Sequence, residues 1–326
     1  MRRREFIAGL GGAAAWPVIA HGQRQAVRPI VGVLFPVSVE ASQPNLTALR
    51  KRLAELGYVE GQNFDFAIRN AQVPNRDAGL KFGGELLALS PAVIVMGAPK
   101  PMLLAIHELT LSVPMVFVNL NDDPVALGLA ASVAHPGGNM TGFRISSDPA
   151  IVGKQLALLK ELAPSIVRVD ALLEAGDTAS KSHIPGAARN LGLNVRTFSI
   201  NRGEEIAPIV AEALGNTDAL LFGAGPVFNT TRNEIAAVVA RSRLPAVYHD
   251  LVVAIAGGLM AYGTSIPKNY AAAADYVAKI LSGVKPGDLP IQQPAFYELV
   301  INFKTAKAVG LDIPPSLLAR ADKVIE

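Results

Sequence analysis

Carboxylates, amides and a histidine follow directly on short apolar runs at several points of this chain, a placement suited to holding a small ligand. Glu174-Ala175-Gly176-Asp177 follows the run 167–173, Gly223-Ala224-Gly225-Pro226 follows 218–222, and His249-Asp250 follows 244–248. In the first half, Pro36-Val37-Ser38, Gly97-Ala98-Pro99 and Asn121-Asp122-Asp123 stand in the same relation to runs ending at Phe35, Met96 and Asn119. Asp122, Glu174, Asp177 and Asp250 suit an ammonium group through charge-assisted hydrogen bonds. Gly97-Ala98-Pro99 reads either as an anion-binding turn with free backbone N–H groups at a helix start or as a plain strand-to-helix turn. Ser38 likewise reads as a donor to that anion or as the cap of the helix that follows. Asp123-Pro124 reads as a helix-start cap. His249 is a candidate hydrogen-bond donor. Phe228, Tyr248 and Tyr262 offer ring faces to a planar ligand or belong to the core.

Bond-making chemistry has no comparable support. The chain holds no cysteine, so thiol nucleophiles, disulfides and Cys-ligated metals are excluded. Its histidines stand at 21, 107, 135, 183 and 249, without the paired spacing of a zinc motif. Neither a G-x-S-x-G elbow nor a G-x-x-x-x-G-K-[ST] phosphate loop occurs. Binding without catalysis, cofactor or metal is the expectation.

The elements that must carry these loops alternate. Pro29–Phe35 is a continuous apolar run of the buried-strand type, and Leu46, Leu49, Leu53 and Leu56 then keep helical spacing up to Gly57. Runs at 63–69, 92–96 and 114–119 continue the series, which predicts four strands each followed by a helix in a parallel sheet covered on both faces. A second series starts at 167–173 and continues through 194–200, 218–222 and 244–248. Strands at 259–263 and 298–303 with helices at 268–281 and 316–324 are too few for a third domain. They are expected to complete two similar open α/β lobes: 29–143 with about 264–295, and 144–263 with about 296–326. A chain crossing between lobes more than once makes a hinge, with a ligand cleft between the lobes.

At 326 residues the chain exceeds the usual size of one domain, and its 50% hydrophobic content supplies two cores. Arg2-Arg3-Arg4, a Gly/Ala-rich apolar run from Ala8 to Ala20 and small residues at Ala20-His21-Gly22 match an export signal cleaved near Gly22/Gln23. Arg3-Arg4-x-Phe6-Ile7 fits its twin-arginine form. The apolar run is too short for the roughly 20 residues that span a bilayer, so the mature chain is expected in the periplasm and outside the membrane. Removing 1–22 takes away three arginines and one glutamate, leaving 27 basic against 26 acidic residues. That near-neutral balance leaves no compositional argument for nucleic-acid binding.

Several segments carry a family likeness in order. They are Leu56-Gly57-Tyr58-Val59-Glu60-Gly61-Gln62-Asn63, Pro136-Gly137-Gly138-Asn139-Met140-Thr141-Gly142 and Gly257-Gly258-Leu259-Met260-Ala261-Tyr262-Gly263. Asp288-Leu289-Pro290, Glu298 to Asn302, Lys304-Thr305-Ala306-Lys307 and Ile313-Pro314-Pro315-Ser316-Leu317-Leu318 follow. Together the chain from about Pro29 to Glu326 resembles the ABC-transporter substrate-binding proteins of the tryptophan/tyrosine type, with the type 1 periplasmic binding protein fold. The resemblance implies a monomeric extracytoplasmic receptor that captures an amino acid or related carboxylate. Its partners would be an inner-membrane permease and a separate ATPase subunit. A sensing module that signals to a protein partner, and an enzyme on the same scaffold, are the alternatives. Two departures bear on the ligand: many relatives place Thr at the position of Ala98, and a polar residue in the loop that here reads Gly223–Gly225.

Overall fold

The computed structural model describes residues 28–145, 150–293 and 297–326. The export signal read at residues 1–22 lies outside the described residues. The first lobe opens with β1 (Ile30–Phe35), α1 (Val39–Glu55), β2 (Asp65–Asn70), α2 (Arg76–Leu87), β3 (Val93–Gly97) and α3 (Lys100–Leu109). It continues through β4 (Met115–Leu120) and β5 (Met140–Arg144). The five strands lie in the order β2-β1-β3-β4-β5, all parallel. The order reverses between β1 and β3, the switch point where ligands collect in open α/β sheets. Because β1 is flanked on both sides, Val31 and Val33 face α1 while Leu34 faces α2 and α3, and a continuous apolar run satisfies both.

The second lobe holds α4 (Ala150–Leu162), β6 (Arg168–Glu174), α5 (Thr178–Leu191), β7 (Asn194–Ile200), α6 (Ile206–Ala213) and β8 (Ala219–Phe222). It continues with α7 (Pro226–Thr230), α8 (Arg232–Ser242), β9 (Ala246–Tyr248), α9 (Leu251–Ile255) and β10 (Met260–Thr264). The chain then returns as α10 (Ile266–Leu281), whose Tyr270, Ala273, Ala274 and Val277 join the core of the first lobe beside α1. Finally β11 (Tyr297–Asn302), α11 (Phe303–Val309), α12 (Pro315–Arg320) and β12 (Lys323–Ile325) complete the second sheet, ordered β12-β11-β10-β9-β8-β6-β7. Its switch point lies between β6 and β8. The chain therefore passes between the lobes after Arg144, at Ser265 and before Tyr297.

Four details differ from the sequence-based expectation. The segment Pro136-Gly137-Gly138-Asn139 runs straight into β5, an edge strand absent from the sequence-based series. A Cβ on Gly142 in that strand would overlap the Phe117 carbonyl, and its φ of +153° suits glycine alone. No helix follows β4: Asp123 Oδ1 accepts from the Val125 N–H at 2.9 Å in a local turn instead of capping a helix. The last helix stops at Arg320, and Lys323–Ile325 pairs with β11. The sheet is also not wholly parallel, since β11 runs antiparallel to β10.

One charge pair is built into the second sheet. Asp170 on β6 is 1% exposed, and its register partner on β7 is Arg196, whose Nε and Nη2 reach both carboxylate oxygens at 2.8 and 2.7 Å. Breaking a buried pair from one side strands the other charge. Arg196→Met should lower Tm by several degrees, and adding Asp170→Asn should recover part of that loss in calorimetry. Equal melting of wild type and Arg196→Met would show the pair to be idle.

Candidate ligand-binding site

The second lobe brings Glu174, Asp177, the 223–226 loop, His249 and Asp250 together at the carboxyl ends of β6, β8 and β9. Glu174 closes β6, and its Oε1 accepts the Val227 N–H at 2.7 Å. Asp177 caps α5, accepting from the Ser180 N–H at 3.0 Å. Pro226 opens α7, and Gly225 precedes it with φ +155°, where a Cβ would overlap the Glu174 carboxyl group. The Gly225 N–H donates to Asp250, while Asp250 Oδ2 is enclosed and without a partner. The glycine loop is thus wrapped around two of the protein's own carboxylates, and Gly225 is required by the space Glu174 occupies.

Burial dominates the electrostatics. Asp250 is pushed up to about 7 by loss of solvent, with the neighbouring Glu174 charge adding to the effect and the Gly225 N–H opposing it. Glu174 is raised for the same first reason, with Asp177 adding and the Val227 N–H opposing. His249 is 7% exposed, and burial takes it down to about 4 against the pull of Asp177, so it is neutral at physiological pH. The cluster therefore presents acceptors held in reserve, an arrangement that gains most from a cation.

The first-lobe loops are poorer than their sequence suggests. Of the backbone groups in 98–103, the Ala98 N–H already donates to the Val118 carbonyl, and Met102 and Leu103 both donate to the Pro99 carbonyl. Pro99 and Pro101 have no N–H. Only the Lys100 N–H remains, so Gly97-Ala98-Pro99 is a strand-to-helix turn and not an anion cradle. Gly97 is packed against Pro36 and the Tyr270 hydroxyl, and Ala98 is 4% exposed. Ser38 caps α1, accepting from the Ala41 N–H at 3.3 Å. The Asn70 amide donates to the carbonyls of Val37 and Ser38. Asn121 is exposed, and Asp122 lies 3.6 Å from the Lys100 ammonium.

Two aromatic candidates are core residues. Phe228 and Tyr248 are each 1% exposed and pack on Phe222 with centroids 5.9 and 5.0 Å away. Neither ring face is open to a ligand. Tyr262 is half-buried and stacks on Tyr297 at 6.0 Å.

Sequence reasoning missed a set of polar groups where the chain passes between lobes. Asn269 is fully buried; its amide donates to Asn119 Oδ1 at 2.7 Å and its own Oδ1 has no partner. Gln155, also fully buried, donates to the Tyr262 carbonyl at 2.8 Å and leaves Oε1 unpaired, as is the hydroxyl of Thr264. Arg144 Nε is enclosed and unpaired at the end of β5. Lys268 of α10 reaches Glu298 of β11 at 2.7 Å and Asp322 at 4.0 Å, tying the returning helix to the second sheet. Among the described residues no group of His, Asp and Glu could hold a metal ion, and no helix is long and apolar enough to cross a membrane.

Comparison with known proteins bears on this arrangement. The model of a family described as ABC transporter substrate binding protein matches residues 30–325. A tyrosine-binding protein of Clostridioides difficile is 24% identical over 267 residues, covering 80% of this chain and 75% of that protein. Among solved structures, a Streptococcus pneumonia ABC domain in complex with L-Trp superposes with TM-score 0.75 at 24% identity, over 91% of this chain and 100% of that one. The ligand-free, open structure of a Clostridium difficile substrate binding protein with adhesive properties gives 0.72 at 21% identity, over 91% and 99%.

Proposed function

The chain belongs to the ABC transporter substrate binding protein family, and from that premise we propose that it is an extracytoplasmic receptor whose two lobes close on an amino acid or related carboxylate. It would be exported through the segment at 1–22, released near Gln23 as a monomer, and would deliver its solute to an inner-membrane permease driven by a separate ATPase. The lobes would comprise 29–143 with about 264–295, and 144–263 with about 296–326. The observation that carries this reading is the clustering of Glu174, Asp177, the 223–226 loop and Asp250 about the switch point of the second lobe, in a chain that crosses between the lobes repeatedly. A ligand that touches both lobes only when they are closed shifts the population toward closure by its differential affinity. No covalent step is needed. The amino-acid reading is supported by the tyrosine- and tryptophan-linked relatives together with the enclosed carboxylates of the second lobe.

The test is a thermal-shift screen of protein starting at Gln23, refolded from denaturant to strip bound solute. Amino acids, aromatic acids, small organic acids and sugars form the panel. A true ligand at 100 times its Kd stabilises by ~2.7 kcal/mol, a shift of several degrees. Silence across the panel from folded protein would overturn the receptor reading in favour of a sensor for another class of molecule.

A further inference from the structure

If the anionic end of a solute is to be held in the first lobe, something other than the 97–99 turn must hold it. The donors of that turn are spent or missing, as the hydrogen bonds of Ala98, Met102 and Leu103 and the two prolines require. Lys100 already lies beside Asp122. Among the described residues two further cations stand at the carboxyl edge of the sheet; Arg69, next to the end of β2, is paired with Glu85, which leaves Arg144. Arg144 is the last residue of β5, where the chain leaves the first lobe; its own N–H donates to the Gln292 carbonyl at 2.8 Å, and the next N–H donates to the Leu120 carbonyl at 2.9 Å. Among the described residues no carboxylate pairs with its guanidinium, and its Nε is enclosed without an acceptor. A guanidinium never sheds its charge at neutral pH, so an enclosed unpaired donor on it is costly unless an anion arrives.

The backbone beside it is shaped. β4 and β5 pair in register up to Val118 and Phe143, then resume at Leu120 and Arg144, so that Asn119 is an extra residue. Asn119 takes φ +65°, and the fully buried Asn269 of α10 holds its side chain. An inserted residue of this kind bends a strand and re-aims the side chains that follow, and a non-glycine residue at positive φ persists only where the surroundings enforce it. Both features converge on the end of β5.

We propose that Arg144 is a ligand-binding residue that receives the carboxylate of the solute, opposite the acceptor-rich cluster of the second lobe. This rests on the receptor reading above and adds to it the residue that selects an anionic group. The planar fork of arginine matches a carboxylate bidentately, whereas lysine supplies charge without the fork.

The experiment compares wild type, Arg144→Met and Arg144→Lys by calorimetric titration with L-tyrosine, tyramine and 4-hydroxyphenylpropionate, and by thermal shift with acetate against chloride at equal ionic strength. Wild type should bind the carboxylate-bearing probes. Arg144→Met should weaken them by about tenfold to a hundredfold, the range for a charge-assisted hydrogen bond. Arg144→Lys should recover part of that loss, and any tyramine binding should be unchanged in both variants. Removing an unpaired charge should leave Tm equal or higher, so failure to fold is not the expected source of a loss. Carboxylates bound equally by wild type and Arg144→Met would overturn the assignment and leave the receptor intact. So would a wild type that answers only to tyramine or to sugars of the wider panel. A wild type silent to these probes and to the whole panel would overturn the receptor reading and this inference with it.

Discussion

Alanine at position 225 is expected to abolish solute binding and to lower stability by about 3 kcal/mol, the size expected when a strained backbone and an overlap fall on one atom. Gly225 has φ +155°, a conformation that side-chain-bearing residues rarely adopt, and its Cβ would overlap Cδ and Oε1 of Glu174. Glu174 cannot retreat without giving up the Val227 N–H, and Gly225 itself donates to Asp250. The added methyl group therefore disturbs two carboxylates at once. A double-mutant cycle separates the causes. Glu174→Ala alone should cost about 1 kcal/mol for the orphaned N–H. Combined with Gly225→Ala it should recover part of the lost stability by vacating the space, while binding stays absent. Additive losses in denaturant melts would mean that the loop does not depend on Glu174 filling that space.

Replacement of Asp250 by asparagine should have the opposite sign on stability. Its folded-state value of about 7 lies above the ordinary 3.8, so the folded protein holds the proton more tightly than the unfolded chain. Stability from this group is present at low pH and is lost as pH rises from about 4 through about 7. His249 works the other way. Its folded value of about 4 lies below 6.5, so its contribution is present above 6.5 and is lost as pH falls toward 4. Wild type should therefore show a shallow stability profile between pH 4 and 6.5, because neighbouring residues cancel. Asp250→Asn should gain about 2 kcal/mol at pH 8, less than the full shift because one edge of the residue meets solvent. It should also expose the histidine slope, with stability rising over that interval. His249→Gln should expose the reverse slope. Urea melts across pH 4–8 measure all three proteins, and parallel profiles would contradict the assignment of these shifts to burial.

Much of the fold is legible from pattern. The leucines at 46, 49 and 53 face the core as their spacing requires, and Asn75 and Asp177 cap helices at the places where polar residues precede apolar periodicity. Edge elements are less legible. β5 follows a Pro-Gly-Gly turn and contains a glycine, signals that ordinarily mark connections, and only pairing with β4 makes it a strand. Arg144 escaped notice because the strand that ends on it did. Phe228 and Tyr248 do lie near strand ends, and the third dimension then buries both rings against Phe222.

What the residues alone determined is the two-lobed framework and the loops that rim it. Buried parallel strands need apolar side chains on both faces, and that requirement is written locally, residue by residue. Which polar groups in those loops are free to meet a ligand was decided only by the tertiary structure. The Ala98 N–H is taken by a residue twenty positions away, Glu174 by a backbone group at the start of α7, and Arg144 Nε by no described residue. A donor's availability depends on partners distant in sequence, and no local pattern records whether they have already been found.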